Sequence, residues 1–152
     1  MQLTTELDAV NAMLATIDEA PVTSLEDDAM TDLSLAHNEL RKNSREVQLM
    51  GWRFNTDFAY PMTANPSPGE IIVPPNVLAL DCSDPALSVS IRAGKLWDNA
   101  NLTFTWDRTV YCDVTWLFAF EELPEAARSY ITNLSCRKFA EDRMGGDSTQ
   151  AK

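Results

Sequence analysis

Residues 24–51, SLEDDAMTDLSLAHNELRKNSREVQLMG, carry the longest run in this chain with one consistent period and a signal at each end. Ala29, Leu33, Ala36, Leu40, Val47 and Met50 recur at spacings of three, four and seven, the repeat of one stripe on an α-helix, with Asn43 as its polar member. Ser24 followed by Asp27 makes a capping-box pattern, and Glu26, Asp27 and Asp28 put negative charge on the positive end of the helix dipole. Gly51 offers the positive φ that closes a helix. At about 1.5 Å per residue such a helix is roughly 40 Å long, the span of a small domain, and the rest of the chain has to pack along it.

Upstream, Leu7, Val10, Leu14 and Ile17 follow three-four-three spacing behind a Thr5/Asp8 box, which predicts a first amphipathic helix over about 5–20. Pro21 ends it, and the short turn Pro21-Val22-Thr23 predicts an antiparallel helical hairpin with the second helix over about 25–50. Downstream of Gly51 the period drops to two. Trp52 and Phe54 alternate with Arg53 and Asn55 as a strand would. The interval from Tyr60 to Asn76 holds Pro61, Pro66, Pro68, Gly69, Pro74 and Pro75, and reads as an irregular loop with a short strand at Glu70 to Val73. Such a loop is either an interaction element or a poorly ordered excursion.

Val77 to Asp81 is a short apolar run, and Leu87, Val89 and Ile91 alternate against Ser88, Ser90 and Arg92. Ala93-Gly94 then turns the chain so that Lys95 to Asp98 returns as a partner strand with Leu96 or Trp97 inward. Leu102 to Trp106 alternates again. Thr109 to Phe120 predicts a longer strand with Val110, Cys112, Val114, Trp116 and Phe118 on its buried face and Tyr111, Asp113, Thr115 and Leu117 on the other. Glu121-Glu122-Leu123-Pro124 opens a last helix over about 124–144, with Ala127, Tyr130, Ile131, Leu134 and Lys138 inward and Gly145-Gly146 as its stop. The expected fold is therefore α+β: a helical bundle of the N-terminal hairpin and the C-terminal helix, with an inserted antiparallel β meander over about 52–120. It forms one domain over 1–146 and leaves a polar, flexible tail at 147–152.

Composition bounds the function. The 152 residues are 45% hydrophobic, enough for one core, and no run of eighteen apolar residues or secretory leader is visible. A formal charge of −11 repels phosphate, which excludes a nucleic-acid binder working by counterion release but suits a wall that DNA slides past; it equally serves plain solubility. Cys82, Cys112 and Cys136 are odd in number and lack a C-x-x-C pair, which favours buried free thiols in a reducing compartment over a disulfide framework or a zinc site. His37 is the sole histidine and stands beside no nucleophile motif; there is no phosphate loop, no G-x-G-x-x-G and no H-E-x-x-H. Glu121 and Glu122 are explained by the helix dipole more simply than as a glycosidase pair. Neither catalytic residues nor a cofactor or metal is expected.

The opening ELDAVNAMLATIDEAPVTSLEDD at 6–28, then Gly51-Trp52-Arg53-Phe54-Asn55, Gly94-Lys95-Leu96-Trp97-Asp98, and Phe120-Glu121-Glu122-Leu123-Pro124-Glu125 leading into Tyr130-Ile131, resemble in order the tail tubular protein A family of short-tailed double-stranded-DNA phages. The resemblance covers nearly the whole chain. It implies a non-enzymatic virion protein of the neck region, made in the host cytoplasm. That protein assembles as a ring, typically of twelve copies, and joins the portal protein to the tail nozzle protein (tail tubular protein B) around a DNA channel.

Under that reading Glu26, Asp27, Asp28 and Asp32 are candidate channel-facing acids. Tyr60, Pro66, Pro68, Glu70, Gly94, Asn99 and Asn101 mark candidate loops for the next ring or tail fibres. The resemblance implies a further C-terminal helical segment, whereas this chain stops soon after Gly146; either it is a shorter variant or part of the polypeptide is missing, and contacts of that segment are not carried over. The alternatives from other classes are a monomeric cytoplasmic helix-plus-sheet binding module and an uncharacterised hydrolase built around His37.

Overall fold

The computed structural model describes residues 2–26 and 31–150, with side chains described as far as Gly145. The chain divides into two compact units, one formed by Met1–Val47 with Ala119–Lys152 and the other by Gln48–Phe118. The α+β class expected from the periodicities holds, with helices concentrated in the first unit and antiparallel strands in the second.

In the helical unit α1 spans Glu6–Ala15, and its start follows the local signal: Thr5 Oγ1 accepts from the Asp8 N–H while Asp8 Oδ2 accepts from the Thr5 N–H, both at 3.0 Å. Its end does not wait for Pro21. Asp18 takes a left-handed φ of 58°, and the Glu19 and Asp18 amides turn back to the Leu14 and Ala15 carbonyls, the two bonds of a Schellman motif. Asn11 then holds the connection to the next helix, its side chain exchanging hydrogen bonds of 2.8 and 3.0 Å with the Val22 backbone.

The long helix α2 covers Thr31–Leu49, shorter than expected, because Leu25 and Glu26 lie in a turn whose Glu26 amide is taken by Ser24 Oγ. Asp27 and Ala29 of the expected cap and stripe lie outside the described residues. Leu33, Ala36, Leu40, Asn43 and Val47 are buried as the repeat requires. Met50 is not: the helix stops at Leu49, Gly51 turns at φ 76°, and the methionine is left 68% exposed.

A short 3-10 turn, Phe120–Glu122, leads into α3, Glu125–Gln150. The buried line of α3 is Arg128, Ile131, Ser135 and Phe139, rotated from the expected face, so that Tyr130 points outward and Phe139 inward. Nor do Gly145 and Gly146 stop it. A glycine costs about 1 kcal/mol in a helix but does not forbid one, and the helix propagates to Gln150, across part of the expected tail. α1 packs on α3, while His37 to Glu6 and Asn43 to Ser135 tie α2 to α1 and to α3.

In the β unit the strands are β1 (Thr56–Met62), β2 (Val77–Cys82), β3 (Val89–Arg92), β4 (Lys95–Asp98) and β5 (Val110–Trp116). They form a three-stranded antiparallel sheet in the order β1-β5-β2 and a separate β3-β4 hairpin, instead of the sequential order of a meander. The last strand in sequence is thus the central one. Its alternation is as read: Val110, Cys112, Val114 and Trp116 enter a core with Met62, Ile71, Val73, Leu96 and Trp106.

Trp52 to Asn55 is not a strand. Asn55 is buried and its Oδ1 accepts from the Trp52 amide at 2.8 Å, which winds Arg53–Asn55 into a 3-10 turn. Residues 102–106 make only isolated bridges, with Leu102 at φ 55°. Residues 70–73 likewise bridge without forming a ladder, yet Ile71 and Val73 are core residues tied to the hairpin through the Leu96 and Val73 amides.

Candidate assembly surfaces

The base of the β unit is closed by two buried amides. Gln48 meets Phe118 as a strand would: its Oε1 accepts from the Phe118 N–H at 2.8 Å and its Nε2 donates to the Phe118 carbonyl at 3.1 Å. Asn55 Nδ2 donates to the Gln48 carbonyl at 2.7 Å and to the Trp116 carbonyl at 3.0 Å. The chain therefore enters and leaves the unit through one satisfied network. In the helical unit Arg128 has the same office. Only 5% exposed, it donates Nε to the Leu123 carbonyl at 2.8 Å, Nη1 to the Thr4 carbonyl at 2.9 Å and Nη2 to the Glu121 carbonyl.

The expected loop residues are placed unevenly. Pro66 and Pro68 are exposed at the end of a turn organised by Asn65, whose Oδ1 accepts from the Gly69 and Glu70 amides at 2.9 Å. The proline-rich stretch is thus ordered by hydrogen bonds. Gly94 sits at the exposed hairpin tip with φ 72° and open space around its Cα. Asn101, in the turn after β4, is exposed, but its side chain donates to Asp98 Oδ2 at 2.8 Å. Three of the seven are held by neighbouring side chains. Tyr60 is a β1 residue, not a loop residue, and its ring meets Trp116 edge-on at 5.2 Å. Glu70 is ion-paired with Lys95 at 2.6 Å, and Asn99 is bonded to Ser88 and Ser90.

Among the candidate acids, Glu26 is exposed, Asp27 and Asp28 lie outside the described residues, and Asp32 is paired with Arg143 of α3. That pairing cancels its charge locally. Carboxylates that the periodicity did not single out are better held. Asp113 at the centre of the sheet accepts from Ser83 Oγ at 2.7 Å and from the Ala59 N–H at 3.0 Å, and these bonds, Ser83 first, lower its pKa. Asp81 is its cross-strand neighbour, so the outer sheet face is acidic.

Exposed apolar side chains accompany them, of which the sequence marked Tyr111 alone as lying on the outer face. A bulge between Asp57 and Tyr60 throws Phe58 outward to 75% exposure, and Tyr111 stands opposite Pro61 on the outer face of the sheet. Trp52 and Ile72 are also exposed in this unit, as are Leu35 and Tyr130 in the other. Where such groups cluster in one patch they are the ordinary material of protein interfaces.

His37 is half-buried, with Nε2 2.6 Å from Glu6 Oε1 and Arg41 Nε 3.7 Å from the same oxygen. A guanidinium in that position supplies charge, not a nucleophile. Among the described residues no group of His, Cys, Asp and Glu is arranged to hold a metal, and no helix is long and apolar enough to cross a membrane.

Comparison with known proteins gives this arrangement its context. Residues 7–151 match the family described as tail tubular protein. The chain is similar to the tail tubular protein A of Klebsiella phage KP34, with 29% identity over 147 residues, covering 96% of this chain and 77% of the relative. With the match running through both units, this chain belongs to the tail tubular protein family and is a structural component of a phage tail.

Proposed function

We propose that the chain is a head-to-tail adaptor, one subunit of a ring that joins the portal to the tail nozzle around the DNA channel. The observation that carries this reading is the family match across both units. Supporting it is a division of labour within the chain. The helical unit has its own buried core. The β unit presents Phe58, Tyr111 and the Pro66/Pro68 turn on a base clamped by Gln48 and Asn55.

The charge of −11 fits a protein past which DNA moves without capture, because neutralising contacts to phosphate are what would hold it. Glu26, with Asp27 and Asp28 next to it in sequence, remains the candidate for the channel wall; Asp32 is the weaker one, being paired. Pro66, Pro68, Gly94 and Asn101 remain the candidates for contact with the nozzle or tail fibres.

Sizing and negative-stain microscopy of the purified chain, alone and mixed with the cognate portal, test the proposal. Closed rings, or stoichiometric decoration of the portal, are expected. A chain that stays monomeric at every concentration and leaves the portal bare contradicts it.

A further inference from the structure

Cys82 and Cys112 are direct partners across the β2–β5 ladder. The Ser83 N–H donates to the Tyr111 carbonyl at 2.9 Å, so the backbone bonds flank the two cysteines and do not run between them. This is the non-hydrogen-bonded type of antiparallel pair, whose Cα atoms stand about 4.5 Å apart, inside the roughly 4.4–6.8 Å range a disulfide spans. Register puts both side chains on one face of the sheet. Cys112 is fully buried there and Cys82 is half-buried.

We infer that Cys82 and Cys112 form a site of reversible covalent modification, closing to a cross-strand disulfide when a small-molecule disulfide such as oxidised glutathione is the oxidant. The Cys82 thiolate, the member solvent reaches, attacks one sulfur of the small disulfide and expels the first small thiol. The Cys112 thiol then gives its proton to solvent, and its sulfur attacks Cys82 Sγ, expelling the second. Two cysteine thiols are oxidised and one small disulfide is reduced to two thiols.

The order of events follows from the surroundings. Burial pushes the Cys112 thiol up to about 11, helped by Cys82 and by the negative charges of Asp113 and Asp81; Tyr60 is its register partner on β1. The closing step is therefore the slow one at neutral pH. A disulfide forms and persists in an oxidising environment, where the bond would lock edge strand β2 to the central strand. The inference rests on strand register and is independent of the adaptor reading.

The test is to incubate the purified full chain with oxidised glutathione and follow mass and free thiols. The expected product is a single chain lighter by two hydrogen atoms, with a peptide linking Cys82 to Cys112 and only Cys136 of the three thiols still alkylatable. Closure should accelerate about tenfold per pH unit between 7 and 9, tracking the Cys112 thiolate. Cys112→Ser should stop at a lasting glutathione adduct on Cys82, and Cys136→Ser should close as the parent does. An adduct on Cys82 that persists in the parent chain, a link to Cys136 or between chains, or a closure rate indifferent to pH overturns the proposal.

Discussion

Asn43 on α2 and Ser135 on α3, both with no exposure to solvent, meet through a 3.0 Å hydrogen bond from Asn43 Nδ2 to Ser135 Oγ. The amide is further satisfied by Lys138 Nζ at 3.4 Å on its oxygen and Glu39 Oε1 at 3.2 Å on its nitrogen. The one polar member of the α2 stripe is thus a register pin between helices. Asn43→Leu leaves the Ser135 hydroxyl buried and without this partner, and should lower stability by about 2–3 kcal/mol. Adding Ser135→Ala should recover part of that loss; urea unfolding of the two single variants and the double variant measures the coupling.

Arg128 fixes the start of α3 by reaching three carbonyls, one of them Thr4 at the beginning of the chain. A lysine cannot reproduce that fork. Arg128→Lys should cost about 2–4 kcal/mol, read as a lower urea midpoint with an unchanged slope.

Gln48 holds both backbone groups of Phe118. Gln48→Leu keeps the volume and strands an N–H and a carbonyl in the interior, for a loss of about 2–4 kcal/mol. Amide exchange should speed up at Phe118 and Asn55 first. If exchange rises evenly over the whole chain instead, the network is not the local clamp described.

Asn43 is visible in the sequence as the polar member of a helical stripe, whereas Gln48 and Arg128, with Asn55, mark where the sequence is hard to read. Thr5 and Asp8 stand three apart and make their box locally, and the alternation through β5 is a local repeat, so both elements are visible in the chain itself. Gln48, Asn55 and Arg128 are buried because their partners are main-chain groups of Phe118, Trp116 and Thr4, far away in sequence, and no spacing announces that. Strand order escapes for the same reason: nothing near Val110 says that β5 slots between β1 and β2. On α3, Tyr130 and Phe139 are both acceptable core residues, and only the position of the facing helices chooses between them. Of the candidate loops, the prolines and Gly94 were legible as exposed turns. Glu70 and Asn99 look equally polar in sequence and are internally paired.

The glycines of α3 give a prediction of the opposite sign. A Cβ at Gly145 meets nothing within 4 Å, so Gly145→Ala relieves the helix of glycine's entropy cost without a clash. It should stabilise by about 0.5–1 kcal/mol and raise the far-ultraviolet helical signal.

Acid should loosen the β3-β4 hairpin. Asp98 is held below the ordinary carboxylate range, first by the Asn101 side chain and then by the Asn101 and Ala100 amides. A carboxyl whose folded pKa is lowered stabilises the fold above the unfolded value near 3.9, and that contribution is lost as pH falls through the folded value. Unfolding midpoints measured from pH 6 to pH 2 should therefore drop in the acid limb, and Asp98→Asn should flatten that drop.

The adaptor account is tested most directly by a cryo-electron microscopy map of the intact particle that carries this chain. A ring of its subunits between portal and nozzle, with the β unit's Pro66/Pro68 turn against a neighbouring protein, is the expected result. Density for this polypeptide elsewhere in the tail, or none at all in the particle, contradicts it.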